Sequence, residues 1–123
     1  MKSSFPPRHF LELADKLLND KKYDKEARIR TSIGRAYYAA FLSAMRKLES
    51  FGFSFTNVDR IHREVIEALK TKDGGLGSKL DDLFEFRVQA DYFMDAMVTN
   101  FGDKCCRFSE HIINRLEDLK KEK

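Results

Sequence analysis

"RTSIGRAYYAAF", Arg30–Phe41, sets a glycine, two arginines and two adjacent tyrosines among small and apolar residues. Glycine inside a helix weakens it by roughly 1 kcal/mol relative to alanine, so Gly34 needs a compensating reason. Around it, Ile29, Ile33, Ala36, Tyr37, Ala40, Phe41, Ala44 and Leu48 recur at spacings of three and four. That pattern predicts one helix over about Lys25–Ser50, with Asp24 as its N-cap. The run "AYYAAFLSAM" is apolar almost all round, which predicts a central helix covered on several sides. Gly34 then reads as the point where a neighbouring backbone packs closely beside a polar groove. The alternative is a glycine that is merely tolerated.

Working outward, four further helical segments flank this one. The first, roughly Arg8 to Asn19, repeats Phe10, Leu13, Leu17 and Leu18. "NDKKYDKE" is a polar turn. A third helix, about Val58–Lys70, is capped by Thr56 or Asn57 and buries Ile61, Val65, Ala68 and Leu69. "KTKDGGLG" reads as a loop, after which a fourth helix begins near Ser78 and carries Leu80, Leu83, Phe84 and Val88 inward. "DAMVTNFGD" reads as a corner, and a last helix runs to about Leu119 with Phe108, Ile112, Arg115 and Leu116 at helical spacing. Only the "KKEK" tail looks frayed. Short connections between helices imply antiparallel neighbours. The expected fold is all-α: an up-and-down bundle of four to five helices forming a single domain over residues 1–123.

Composition agrees. With 123 residues the chain suits one core. Hydrophobic residues make up 42% and charged residues 35%, a globular balance, and both prolines lie in "FPPR", leaving the rest free for long helices. The net charge of +3 permits an anionic partner but is far from the dense basic stripe of a strong nucleic-acid binder. No apolar run approaches a membrane span, and "MKSSFPPRHF" lacks the apolar core of a secretory signal, so a cytoplasmic location is expected. Cys105 and Cys106 are adjacent and form neither a C-x-x-C nor half of a zinc site. At helical spacing before Phe108, one thiol should face the core and the other its edge.

The residues with chemistry to offer are few. Arg87 and Asp91 in "FEFRVQADYF" are four apart, so they share one helix face beside the apolar stripe. A guanidinium there either ties helices together through its carboxylate or presents its fork to a phosphate. Arg28 and Arg35 project on nearly the same side of the second helix, with Tyr38 one turn beyond. They read as an anion-holding face or as a solvated one. His62 stands at the edge of the third helix's stripe, between Arg60 and Arg63, while His9 and His111 are isolated. Metal binding would need carboxylates or other histidines at ligand spacing, and Glu64 and Glu67 near His62 point mostly outward, so neither a metal nor a cofactor is expected. "GGLGSK" lacks the P-loop spacing and a preceding strand.

The combination "GRAYYAAF" on the second helix, "HREVIEAL" on the third and "LFEFRVQADYF" on the fourth, followed by an amphipathic closing helix, resembles the HEPN (higher eukaryotes and prokaryotes nucleotide-binding) superfamily. Within it, the likeness is to the small stand-alone prokaryotic branch, over roughly Phe10–Leu119. The resemblance implies an antiparallel helical bundle that pairs into a homodimer with a polar groove near the dimer axis. It also implies a minimal nucleotidyltransferase as partner, in a toxin–antitoxin type of pair, and a nucleotide or RNA as ligand. On that reading Arg35, Tyr38, Arg87, Asp91 and Tyr92 line the groove.

Catalytic HEPN proteins are metal-independent RNases marked by an arginine, four to six intervening residues and a histidine. Here Arg87 matches the arginine, but the histidine positions hold Tyr92, Phe93 and Met94. Arg107 and His111 miss the spacing, with only three residues between them. The pattern therefore points to a binding module rather than an enzyme. An RNase with a variant site, built from Arg87 with Tyr92 or His62, is the alternative, and a pure assembly protein is a third.

Overall fold

A computed structural model describes residues 4–120, and all of its regular structure is helical. The helices are α1 (Arg8–Asn19), α2 (Lys25–Ser50), α3 (Ile61–Lys72, entered through a short 3-10 turn at Val58–Arg60), α4 (Gly74–Tyr92) and α5 (Gly102–Leu116). No strand occurs among the described residues. Residues 121–123, most of the tail expected to fray, lie outside them.

The second helix is central, as its composition predicts. It packs against α1, α3, α4 and α5, and it buries residues along most of its length, from Ile29 to Leu48. Asp24 caps it by accepting the Ala27 N–H at 2.9 Å. The buried Ser32 hydroxyl donates to the Ala14 carbonyl at 2.7 Å, so this polar side chain joins α2 to α1 without leaving an orphan.

Several boundaries and faces differ from the sequence reading. In α1 the buried residues are Leu11 and Ala14, and Leu13 is 45% exposed. Leu13 lies roughly 200° around the helix from Leu11, so the stripe has a different phase from the one expected. The last helix ends at Leu116, and its buried face is Cys105, Cys106, Ser109, Ile112, Ile113 and Leu116, with Arg115 exposed. Both cysteines are therefore interior, because α5 is pressed between α1, α2 and α4. Burial pushes both thiols up to about 12, which keeps them protonated and unreactive at neutral pH.

The larger correction concerns "KTKDGGLG". Only Asp73 links α3 to α4: the glycines form the first turn of α4, and the Asp73 carboxylate caps it by accepting the Leu76 N–H at 3.0 Å. A Cβ on Gly77 would sit 2.7 Å from the Lys70 backbone nitrogen and 2.8 Å from its Cα. Close backbone approach therefore happens at Gly77, between α3 and α4, and not at Gly34. A Cβ on Gly34 would meet only the Asp91 Oδ1, at an ordinary 3.7 Å.

The two glycines consequently respond in opposite ways to the same substitution. Gly77→Ala destabilises the fold by about 1–3 kcal/mol through overpacking. Gly34→Ala leaves stability unchanged or raises it by up to about 1 kcal/mol through helix propensity. Urea titrations followed by circular dichroism measure both, and equal losses at the two sites would contradict the packing described.

Candidate anion-binding site

Where α2, α3 and α4 meet, a set of aromatic rings surrounds one guanidinium. Arg87 is only 8% exposed, and its Cζ lies 5.5 Å from the Tyr37 ring centroid, 5.7 Å from Tyr38 and 5.3 Å from Phe84. Its Nη1 donates to Asp91 Oδ2 at 3.1 Å, while Nε is buried with no partner. Among the described residues Nη2 makes no hydrogen bond either. A buried guanidinium is ordinarily saturated with acceptors. This one has a single carboxylate, itself 37% exposed along its side chain.

Arg30, which the sequence reading did not single out, shows what saturation looks like. Its Nε pairs with Glu26 at 2.9 Å, and its two Nη groups donate to the carbonyls of Gln89, Ala90, Phe93, Met94 and Ala96 at 2.9–3.3 Å. Arg30 thus caps the C-terminal end of α4 from a neighbouring helix, supplying the cation that the last turn of α4 lacks. It also pins the corner that follows.

Four of the five expected groove residues come together. Arg35 lies over the Tyr38 ring at 5.0 Å and the Phe10 ring at 4.9 Å, Tyr38 also faces Arg87, and Asp91 closes the group beside Gly34. Tyr92 does not join them by contact. It ends α4 at 67% exposure and makes no hydrogen bond or ring contact among the described residues. Five positions beyond Arg87, it projects roughly 140° away around the helix. Arg28 is also separate from Arg35: it donates to the Leu18 carbonyl at the far end of α1, two turns away.

His62 does belong to the cluster. Its ring lies 4.5 Å from Phe41 and 5.6 Å from both Tyr37 and Phe84, and its Nδ1 is 2.8 Å from the Tyr37 hydroxyl. Burial, helped by the positive charge of Arg87, lowers its pKa below the ordinary 6.5, so at neutral pH the ring is uncharged. Burial moves the Tyr37 phenol far in the other direction, upward, and it stays protonated. Tyr37 reads in the sequence as plain core. The available signal was that a buried tyrosine hydroxyl needs a partner, and the apolar stripe leaves that partner unnamed.

Arg63 stands behind this group rather than in it. It forms a two-pronged pair with Asp81 at 3.1 Å on each arm, and Lys70 joins the same carboxylate at 3.1 Å. That network ties α3 to α4 and holds the Asp81 carboxyl below its usual range, chiefly through the Arg63 hydrogen bond. Among the described residues no group of three or more His, Cys, Asp and Glu is arranged to hold a metal ion. Among the described residues no helix is long and apolar enough to cross a membrane.

The lowered His62 pKa has a sign that can be measured. As pH falls through 6.5, the unfolded chain binds a proton that the folded chain accepts only at lower pH, so stability present above that value is lost in the window beneath it. Melting temperature between about pH 7 and pH 5 should fall more steeply for the wild type than for His62→Gln. Parallel curves would contradict the assignment. Comparison with known proteins finds no family model, no curated protein and no solved structure that matches this chain.

Proposed function

We propose that this chain is a HEPN-type helical module that binds a phosphate group of a nucleotide or of single-stranded RNA at the Arg87 cluster. The observation that carries the reading is the unsaturated guanidinium of Arg87. It is buried, its Nε has no acceptor, and Asp91 occupies only Nη1. An incoming phosphate oxygen at the Nε–Nη2 edge supplies what the fold omits, and arginine's planar fork suits that anion better than lysine's point charge would. Arg35 adds a second positive charge next to Tyr38. The Tyr38 ring has guanidinium groups over it from both Arg35 and Arg87, so the cluster favours phosphate over a stacked base.

On the same reading the module pairs with a second copy and with a minimal nucleotidyltransferase, as one half of a toxin–antitoxin type of pair. Those partners rest on the sequence resemblance alone. A metal-independent RNase is the second reading. It draws support from one feature, the presence of His62 on the same cluster as Arg87, now reached from α3 instead of α4.

Replacing Arg87 separates these readings from a structural tie. Arg87→Ala should weaken binding of a fluorescent single-stranded RNA oligonucleotide by at least about 10-fold, the loss of a charge-assisted pair. The far-ultraviolet helix signal should remain. Loss of that signal with no RNA bound by the wild type would make Arg87 a structural tie instead. Cleavage of the oligonucleotide in the presence of EDTA would favour the RNase, and intact RNA would favour the binding module.

A further inference from the structure

The Tyr37–His62 contact has a directional consequence for the site. Tyr37 is fully buried, and among the described residues its hydroxyl has one hydrogen-bonding partner, the Nδ1 of His62 at 2.8 Å. A phenol carries one proton, and burial leaves no water to accept it. If Nδ1 also carried a proton, two donors would face each other and one would go unsatisfied in the interior. The arrangement that satisfies both groups has Tyr37 donating and Nδ1 accepting. The proton of the neutral imidazole then sits on Nε2. Among the described residues that atom makes no hydrogen bond, and it is not fully buried, so it can meet a ligand.

We propose that Tyr37 is a positioning residue that holds neutral His62 in its Nε2–H form, so that the site offers a phosphate oxygen an imidazole N–H beside the Arg87 guanidinium. The ligand in this statement rests on the phosphate-binding reading above; the tautomer does not. The groups facing the imidazole are Tyr37, Tyr38 and Phe41 from α2 and Phe84 and Arg87 from α4, with Arg63 following it on α3. None of them is a carboxylate that would pull the proton to Nδ1. The rings packed around the imidazole hinder it from turning over, since Phe41, Tyr37 and Phe84 all lie within 5.6 Å of its centroid.

One chemical consequence is that His62 in this form is a donor with no free lone pair at Nε2. A general base acting on a ribose 2′-hydroxyl needs that lone pair. The site as built therefore grips a phosphate without activating a nucleophile. This weighs the two readings of function against each other through one hydrogen bond.

The test is long-range proton–nitrogen correlation spectroscopy on protein labelled at histidine nitrogens, at neutral pH. The chain has three histidines, and His62→Gln assigns the relevant signals. The wild type should show His62 with an unprotonated Nδ1 and a protonated Nε2. Tyr37→Phe should average the two tautomers and weaken binding of the same single-stranded RNA by about 2- to 10-fold, one hydrogen bond's worth. A protonated Nδ1 or a tautomer mixture in the wild type overturns the proposal, as does an unchanged spectrum in Tyr37→Phe. The wild-type spectrum decides even if that variant fails to fold. Expected spectra together with no RNA binding by the wild type would remove the phosphate-binding reading and leave the Tyr37–His62 assignment standing.

Discussion

Burial of α2 on nearly every side is the constraint from which the rest of the molecule follows. A helix packed against four others needs small residues where those neighbours press, and its buried polar groups must find partners inside the protein. Ala36, Ala39, Ala40 and Ala44 meet the first demand. Ser32 and Tyr37 meet the second, one through the Ala14 carbonyl and the other through His62. Burying the Tyr37 hydroxyl thus brings the His62 imidazole of α3 into the site.

Two arginines show how the same side chain does different work in different company. Arg30 spends its donors on five carbonyls and a carboxylate, so it finishes α4 and has nothing left for a ligand. Arg87 is more deeply buried and has one acceptor. The aromatic rings around it offset part of the desolvation through cation–π attraction, but they cannot accept a hydrogen bond at the guanidinium edge as a carboxylate would. The unpaired edge is what sets Arg87 apart from Arg30.

Around that edge the electrostatics favour an anion. Burial and the charge of Arg87 keep His62 neutral, burial keeps Tyr37 protonated, and Asp91 leaves part of the guanidinium unengaged. Arg63, on α3, is committed to Asp81. The cluster therefore carries positive charge and N–H donors, with its one carboxylate at the rim. Gly34 lies beside this arrangement, in ordinary contact range of Asp91.

The sequence by itself determined the all-helical class, the central place of α2, the Asp24 cap and the shared face of Arg87 and Asp91. All of these follow from local periodicity, and local periodicity is written along the chain. It also marked Arg35, Tyr38 and His62 as residues with chemistry to offer. Only the tertiary structure decided which of them meet. His62 and Arg87 are on different helices, and their approach depends on how α3 and α4 press together at Gly77, a glycine whose pattern looks like a loop. Arg30's carbonyl acceptors were invisible for the same reason, since they lie about sixty residues away. Tyr92 was placed in the groove by a motif's spacing, yet the turn of the helix carries it to the exposed side. Spacing along a chain fixes a helix face, but contacts between faces depend on the packing of whole helices.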